Sequence, residues 1–207
     1  MIITPPKYGH GSGKSVNYRN FLRKKDFVYI SYGGNLPHWY QEGKLQYITF
    51  RLNDSLPQTK LKELNEIINS WVKNHPKPWT LEEYQEYEDL FEEVEDWLDA
   101  GYGTCILKYA SIQKVVEEAI LYFDGLKYEL FDYIIMPNHV HLLLIPSHLY
   151  SSGQILHSIK SYSSLRINKI LNRKGKLWRK ESFDRIIRSM SDYEDKRNYI
   201  MHNGDFL

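Results

Sequence analysis

Two histidines separated by one residue stand at the start of an apolar stretch of the chain. His139 and His141 flank Val140, and residues 142–145 continue the apolar run. Because side chains alternate across a β-strand, a strand here would project both imidazoles from one face and Val140 from the other. Two imidazoles at a fixed spacing can form part of a metal site. The same pattern also fits two polar residues on a half-exposed strand, so the pair alone leaves both interpretations open.

A phenol and a carboxamide near the end of the chain could complete such a site. Tyr199 and Asn203 are four residues apart, so a helix would place them one turn apart on one face. If that helix crosses the sheet, the amide oxygen of Asn203 becomes a third ligand beside the histidines. A mixed nitrogen and oxygen set suits Mg²⁺ or Mn²⁺ with open positions for phosphate. Tyr199 is then a candidate nucleophile.

Two alternatives apply to this tyrosine. The chain contains 17 tyrosines, and most tyrosines in a protein serve only in packing. Tyr193 is the rival nucleophile, six residues earlier on the same predicted helix. It lies on a different side of that helix, and the residue four positions later, Arg197, is a cation rather than a ligand.

Hydrophobic periodicity predicts the elements that carry these groups. Alternation predicts a strand over 47–52, and two strongly apolar segments predict a hairpin, 128–136 with 140–145, joined by residues 137–139. Helical spacing and capping residues predict five helices, over about 60–73, 80–99, 112–123, 152–171 and 191–204. Residues 172–183 are predicted as a loop. This order is typical of an α+β fold, a ferredoxin-like antiparallel sheet with helices on one face.

Charge is distributed unevenly along the chain. The formal net charge is +1, yet residues 82–99 contain ten acidic residues and no basic ones. Residues 151–207 contain twelve Lys and Arg against six Asp and Glu. A local basic surface attracts phosphates whatever the net charge of the chain, although a merely solvated surface explains the charges equally well.

The remaining features concern compartment and organisation. No segment resembles a signal peptide or a membrane span, and the single cysteine, Cys105, cannot form an internal disulfide, so we expect a cytoplasmic location. Residues 1–44, rich in Gly, Pro, Tyr and Lys, are predicted as an N-terminal arm or extension. Residues 45–207 are predicted as one catalytic domain with an acidic helical insertion around 80–100.

The histidine and tyrosine segments together resemble a known family. Met136-Pro137-Asn138-His139-Val140-His141-Leu142-Leu143 is similar to the HUH motif (histidine, hydrophobic, histidine) of the single-tyrosine transposases, and 198–203 resembles the segment that holds their catalytic tyrosine. The group indicated is the REP-associated tyrosine transposases. Further similar segments are 44–57, 99–105, 160–162, 175–178 and 183–188. One departure is Gly204, where the family usually has proline, which puts the substrate specificity in question.

The resemblance implies an HUH endonuclease that cuts and rejoins single-stranded DNA, with hairpin-forming repeats as its substrates. It implies Tyr199 as the nucleophile of a 5′-phosphotyrosine intermediate, and Mg²⁺ or Mn²⁺ held by His139, His141 and Asn203. It also implies a monomer or a homodimer, with no membrane partner. The side chains then expected to bind DNA are Lys160, Arg166, Lys169, Arg173, Lys174, Trp178, Arg179, Arg185 and Arg188.

Two other functions remain open at this point. One is a DNA-binding derivative of the same fold that no longer catalyses. The other is a two-histidine metallohydrolase that uses activated water and forms no covalent intermediate. A protein of the second kind would still cleave after the change Tyr199→Phe.

Overall fold

The structure, a computed structural model, describes residues 1–13, 15–22, 29–31, 38–76 and 79–203. Its strands are β1 (Lys7–His10), β2 (Tyr29–Ser31), β3 (His38–Tyr40), β4 (Gln46–Arg51), β5 (Tyr128–Ile135), β6 (His139–Pro146) and β7 (Phe183–Ile186). Its α-helices are α1 (Gln58–Asn74), α2 (Leu81–Asp89), α3 (Glu92–Asp99), α4 (Ala110–Phe123), α5 (Ser152–Ile170) and α6 (Met190–His202). Short 3₁₀ turns are formed by Tyr18–Asn20 and Ile106–Lys108.

Five of the strands form one antiparallel sheet in the order β1-β5-β6-β4-β7, and β2 and β3 pair separately. The predicted hairpin is β5 and β6, and β6 begins at His139. On its other side β6 pairs with β4, with His141 opposite Thr49 and His139 opposite Arg51. The register of the two central strands therefore fixes the environment of both histidines.

The two faces of the sheet are covered by different helices. Val140, Leu142 and Leu144 of β6 join the core that α4 and α5 complete. Leu143 points the other way and packs in a separate cluster with Ile200 of α6. The predicted α+β class with an antiparallel sheet is confirmed, and α6 adds a cover on the face opposite α4 and α5.

The acidic segment forms two helices where periodicity predicts one. Phe91 N–H donates to Glu88 O at 2.9 Å. This hydrogen bond spans three residues and not the four of an α-helix, and the helix is interrupted there. Thr80 caps α2 as predicted, in a capping box with Glu83.

Two other boundaries differ from the prediction. Helix α6 begins at Met190 because Ser189, and not Ser191, caps it by accepting from Asp192 N–H at 3.1 Å. Strand β7 starts at the end of the predicted loop, and its four residues are too few to show a periodic signal. The predicted helix end at Gly204 lies outside the described residues.

Part of the predicted N-terminal arm belongs to the sheet. Strand β1 pairs with β5, with Gly9 opposite Tyr133. A Cβ atom at Gly9 would stand 2.3 Å from the hydroxyl of Tyr133, so any other residue would collide with that ring. The division of the chain at residue 44 stays a prediction. No helix among the described residues is both long enough and apolar enough to span a bilayer.

Candidate active site

His139 and His141 are fully buried on the face of β6 that α6 covers. Their rings stand nearly perpendicular, at 81° with centroids 4.6 Å apart, and their Nε2 atoms face each other at 2.8 Å. The predicted projection of both imidazoles from one face is what the structure shows. Two donors that each bind one ion at about 2.1 Å at right angles lie about 3 Å apart, close to this spacing.

Asn138 sets the protonation of the first histidine. Its Nδ2 donates to the carbonyls of Leu98 and Tyr102, both at 3.1 Å, so its Oδ1 must face the other way. That oxygen lies 2.7 Å from His139 Nδ1 and can only accept. His139 therefore carries its proton on Nδ1 and presents a lone pair at Nε2.

The second histidine is held by strand β4. Tyr47 hydroxyl and Thr49 Oγ1 lie 2.7 Å and 2.8 Å from His141 Nδ1. The Tyr47 hydroxyl donates a hydrogen bond to the carboxylate of Glu95, which raises the pKa of this phenol and leaves its oxygen as an acceptor for the imidazole. A carboxylate behind such a partner is typical of ligating histidines, because it fixes the tautomer and the ring orientation.

Burial keeps both imidazoles neutral. It lowers the pKa of His139 well below the usual value, and the neighbouring His141 and Arg51 act in the same direction. It lowers the pKa of His141 to about 3, with a further contribution from Lys196. Neutral imidazole is the form that binds a metal ion.

Helix α6 brings Tyr199 and Asn203 to the same place. The ring of Tyr199 meets His141 edge-on, with centroids 5.3 Å apart. Its hydroxyl donates to Asp99 Oδ2 at 2.7 Å, and Asn203 Nδ2 lies 3.3 Å from each oxygen of that carboxylate. Asp99 Oδ1 is in turn 3.5 Å from His139 Nε2. The Asp99 carboxylate thus links three of the four side chains selected from the sequence, and the fourth, His141, contacts two of those three, His139 and Tyr199.

Asp99 is the functional candidate that sequence reasoning missed. It is the last residue of α3 and was counted only as one of ten acidic residues on a solvated surface. The available signal was its place at the start of segment 99–105, which resembles the transposases. Burial raises the pKa of Asp99, although the hydrogen bonds from Tyr199 and Asn203 act against that increase.

Burial also raises the pKa of Tyr199, and the negative charge of Asp99 raises it further. A second missed residue, Lys196, places a cation nearby. Its Nζ donates to Glu95 at 3.0 Å and lies 5.8 Å from the centroid of the Tyr199 ring. The phenol is therefore protonated at neutral pH, between a carboxylate that can accept its proton and an ammonium group.

The donor set fits a divalent metal ion. His139 and His141 offer nitrogen, and Asp99 and Asn203 carry oxygen donors within the same cluster. Among the described residues, no group of three His, Cys, Asp or Glu side chains already stands in an arrangement that could hold an ion. None of the hydrogen bonds described there joins Asn203 directly to a histidine, so the identity of the third ligand remains a prediction.

Comparison with protein families identifies the segment that carries these groups. Residues 102–203 match the family model described as "Transposase IS200 like". Residues 102–203 belong to the IS200-like transposase family. The matched segment is about half of the chain and includes both histidines, Tyr199 and Asn203. Asp99 lies three residues before it.

Solved structures and curated proteins were also compared. The chain is similar to the structure of a REP-associated tyrosine transposase bound to a REP hairpin, at 14% identity and a TM-score of 0.39, over 79% of this chain and 68% of that one. It is similar to a transposase of Deinococcus radiodurans R1 at 13% identity and a TM-score of 0.36, over 88% of this chain and 97% of that one. The comparison with curated proteins found no match.

Several cations expected to bind DNA lie on α5 and on the segment that follows it. Lys169 and Lys174 are exposed, whereas Arg173 and Arg179 are half-buried. Arg166 is exposed and pairs with Glu118 at 3.3 Å. Their roles in binding remain predictions.

Four residues of the predicted DNA-binding set are engaged within the fold, and one of them is Lys160, whose Nζ donates to the carbonyls of Arg179 and Lys180 at 3.0 Å and 3.2 Å. Trp178 is buried, packs against Phe50 with centroids 4.9 Å apart and donates to Ser163 at 2.9 Å, so stacking on a base is corrected to a packing role. Arg185 pairs with Asp192, and Arg188 pairs with the buried carboxylate of Glu88. Both guanidinium groups are largely covered, because these ion pairs join β7, α6 and α2 inside the fold.

The rival nucleophile faces a different neighbourhood. Tyr193 is half-buried beside Asp132 and Arg197, which form an ion pair at 3.3 Å. The hydroxyl of Tyr8 in β1 also donates a hydrogen bond to Asp132 Oδ1 at 2.9 Å. The surroundings of Tyr193 therefore belong to the contact between α6 and the N-terminal strand.

Proposed function

We propose that this chain is a metal-dependent single-stranded DNA endonuclease and strand transferase of the REP-associated tyrosine transposase group. One observation carries the proposal. The hydroxyl of Tyr199 is 2.7 Å from Asp99, its ring touches His141, and Asp99 reaches towards His139 at 3.5 Å. A nucleophile, a proton acceptor and two ligating nitrogens thus meet at one point, as phosphoryl transfer by a tyrosine requires.

Cleavage follows from these positions. The phenol oxygen of Tyr199 attacks the scissile phosphorus, and the bond from phosphorus to the 3′-oxygen breaks. The phenol proton passes to Asp99 Oδ2, which already accepts a hydrogen bond from it. The 3′-oxygen takes a proton from water, and the products are a 5′-phosphotyrosine link and a free 3′-hydroxyl. Attack by another 3′-hydroxyl reverses these steps and rejoins the strand without an energy cofactor.

A divalent ion, Mg²⁺ or Mn²⁺, would supply positive charge to a non-bridging phosphate oxygen and orient the phosphorus. His139 and His141 would hold it, with oxygen from Asn203 or Asp99. The outer contacts keep the ligands ready, since Asn138 orients His139 while Tyr47 and Thr49 orient His141. Lys196 adds a fixed positive charge near the phenol, which favours the anion that forms as the proton leaves.

Hairpin-forming repeats are the proposed substrates. The support is the resemblance of the histidine and tyrosine segments to the REP-associated group, together with the exposed cations on α5 and the segment after it. The half-buried position of the Tyr199 phenol is a further reason to propose an unpaired strand at the cleavage site.

A covalent protein–DNA band tests the proposal. A hairpin oligonucleotide with single-stranded flanks is incubated with the full chain and Mn²⁺, and the products are separated on a denaturing gel. We expect a shifted band that Tyr199→Phe abolishes, that EDTA prevents and that Tyr193→Phe retains. The Tyr193 variant is a matched control on the same helix.

Other results would select other functions. Cleavage that persists in Tyr199→Phe without a covalent band supports a metallohydrolase. DNA binding without cleavage by the unmodified chain supports a non-catalytic derivative.

A further inference from the structure

A cavity of about 60 Å³ lies beside the histidines and has no part in the mechanism above. Tyr47 and Thr49, the partners of His141, form its inner end, and Lys196 of α6 borders it. The remaining lining comes from α2, α3 and the segment 182–185 that includes most of β7. The two acidic helices therefore create a space next to the catalytic groups.

The walls of this cavity are largely aromatic. Tyr87, Phe91 and Phe183 follow one another across it, with ring centroids 5.1 Å and 4.4 Å apart. Tyr84 and Tyr47 are the other two aromatic residues of the lining. Such a surface binds flat rings, because aromatic side chains stack on bases irrespective of sequence.

Three of the described residues that line this cavity each contain one unsatisfied polar atom. Tyr87 hydroxyl, Glu88 Oε1 and Arg185 Nε are buried and have no hydrogen-bond partner among the described residues. Tyr87 is only 3% exposed and Glu88 9% exposed. The second oxygen of Glu88 accepts from Arg188, and the other end of Arg185 pairs with Asp192, so both side chains are fixed. Native folds leave few such atoms unsatisfied, and several around one cavity indicate a ligand that satisfies them.

The charge of the lining restricts what can enter. Glu88, Asp89, Glu92 and Glu95 line the cavity alongside Arg185 and Lys196, among others, so a phosphate would be repelled. A neutral group with N–H donors and carbonyl or ring-nitrogen acceptors matches a carboxylate oxygen, a phenol and a guanidinium N–H. The volume admits roughly four to six waters, at about 10–15 Å³ each, which suits the polar edge of a base and excludes a whole nucleotide.

We propose that this cavity receives the edge of one unpaired nucleobase of the DNA strand that passes Tyr199, with the base ring against Phe91 and Phe183. The inference rests on the proposed function, since that function brings a single strand to the adjacent catalytic groups. Glu88 Oε1 accepts from an N–H of the base, and Arg185 Nε donates to a carbonyl or ring nitrogen. The acidic helices then select the nucleotide at one position of the substrate.

An abasic scan tests the cavity. Each nucleotide of the single-stranded flank is replaced in turn by an abasic site, and affinity is measured by fluorescence anisotropy in Ca²⁺. We expect one position at which loss of the base weakens binding about tenfold or more, the effect of losing one stacked base. At that position Tyr87→Phe and Glu88→Gln should reduce the discrimination to less than about threefold, because each removes one polar partner and keeps the shape of the side chain.

The controls separate this inference from the function on which it rests. Tyr122→Phe changes an exposed tyrosine outside the cavity and should leave the scan unchanged. Thermal unfolding shows whether each variant is folded, and 2-aminopurine at the selected position reports stacking by quenched fluorescence. A flat scan, or discrimination that survives in both folded variants, overturns the cavity proposal even when the covalent band forms. Absence of the band on every substrate, with a selective scan, instead overturns the cleavage proposal.

Discussion

Lys160 is a largely buried cation, and its side chain forms hydrogen bonds with the backbone of the protein. Its Nζ donates to the carbonyls of Arg179 and Lys180 at 3.0 Å and 3.2 Å. Burial lowers the pKa of Lys160 from 10.5 to about 8. The charged form is therefore penalised in the folded state, which identifies a residue kept at a cost to stability.

We predict that Lys160→Met stabilises the protein at pH 7 and weakens its binding of DNA. The penalty on the ammonium is complete below pH 8, shrinks as the pH rises and vanishes near 10.5, because the unfolded chain binds the proton more tightly. A shift of this size corresponds to about 3 kcal/mol, from which the two lost hydrogen bonds subtract about 1–2 kcal/mol. Urea unfolding at pH 7 and pH 10 should show the advantage of the variant diminish at the higher pH.

Lys169→Met is the control, since Lys169 is exposed on the same helix and its change should alter stability by less than about 0.5 kcal/mol. Equal stability of wild type and Lys160→Met at pH 7 would contradict the prediction.

At the scale of single residues, the sequence supports candidates but not their contacts. The spacing of His139 and His141 and the four-residue step from Tyr199 to Asn203 follow from strand and helix geometry, which local sequence encodes. Asp99 could not be selected in this way, because its contact with Tyr199 joins residues 100 positions apart. The burial of Trp178 was equally invisible, since a tryptophan that stacks on a base and one that packs against Phe50 look alike in a sequence.

Helix α6 carries Tyr199, the proposed nucleophile, and a serine caps its first turn. Ser189 Oγ accepts from Asp192 N–H at 3.1 Å, and Asp192 Oδ2 accepts from Arg188 N–H at 2.8 Å. Helix α5 on the opposite face is capped in a similar way by Ser151, which accepts from Gln154 N–H at 3.3 Å. The two caps therefore differ mainly in what their helices carry.

We predict that Ser189→Ala and Ser151→Ala each lower the free energy of unfolding by about 1 kcal/mol, the usual value of an N-cap. Only Ser189→Ala should slow formation of the covalent band, because α6 carries Tyr199. The measurement combines urea unfolding with single-turnover band formation at a temperature where both variants are folded. An equal loss of rate in the two variants would show that the effect comes from stability alone.

Among elements, length decided what could be predicted. Long periodic segments such as α4, α5 and the β5–β6 hairpin were predicted to within a few residues. Strand β7 was missed because four residues carry too little alternation, and the break between α2 and α3 was missed because the apolar spacing continues across it. Ser191 and Ser189 are both plausible caps from their residue type, and only the hydrogen bond to Asp192 distinguishes them.

Across the whole molecule, the predicted DNA-binding cations divide into a group at the surface and a group inside the fold. Arg173 and Lys174 lie at the end of α5, where a strand could pass, whereas Arg185 and Arg188 are occupied in ion pairs. Only cations that displace counterions from a nucleic acid contribute to the salt dependence of binding.

We predict that the double change Arg173→Ala and Lys174→Ala reduces the slope of log affinity against log salt by about 1.4, at about 0.7 for each lost single-strand phosphate contact. Lys62→Ala with Lys73→Ala removes the same charge from α1 and should leave the slope unchanged. Anisotropy titrations between low and moderate salt measure both. A slope that is equal in the two double variants would place the DNA elsewhere.

The fold class could be predicted from the sequence, but the face of the sheet on which each helix packs could not. Alternation in β6 indicates two apolar faces, but the sequence does not say which helix covers which face. The last helix was assigned together with the others, and its place opposite α4 and α5 depends on Ile200 packing with Leu143 and Ile134.

The two faces of β6 have separate roles, so the stability of the fold does not depend on the side chains proposed for the chemistry. Positions 140, 142 and 144 of the strand pack in the core with α4 and α5, whereas positions 139 and 141 carry the histidines proposed to hold the metal ion. A variant in which aliphatic side chains replaced both histidines would keep the fold and the binding of nucleic acid but would lose the proposed cleavage activity. Two substitutions in one strand could therefore remove the activity and leave the fold unchanged.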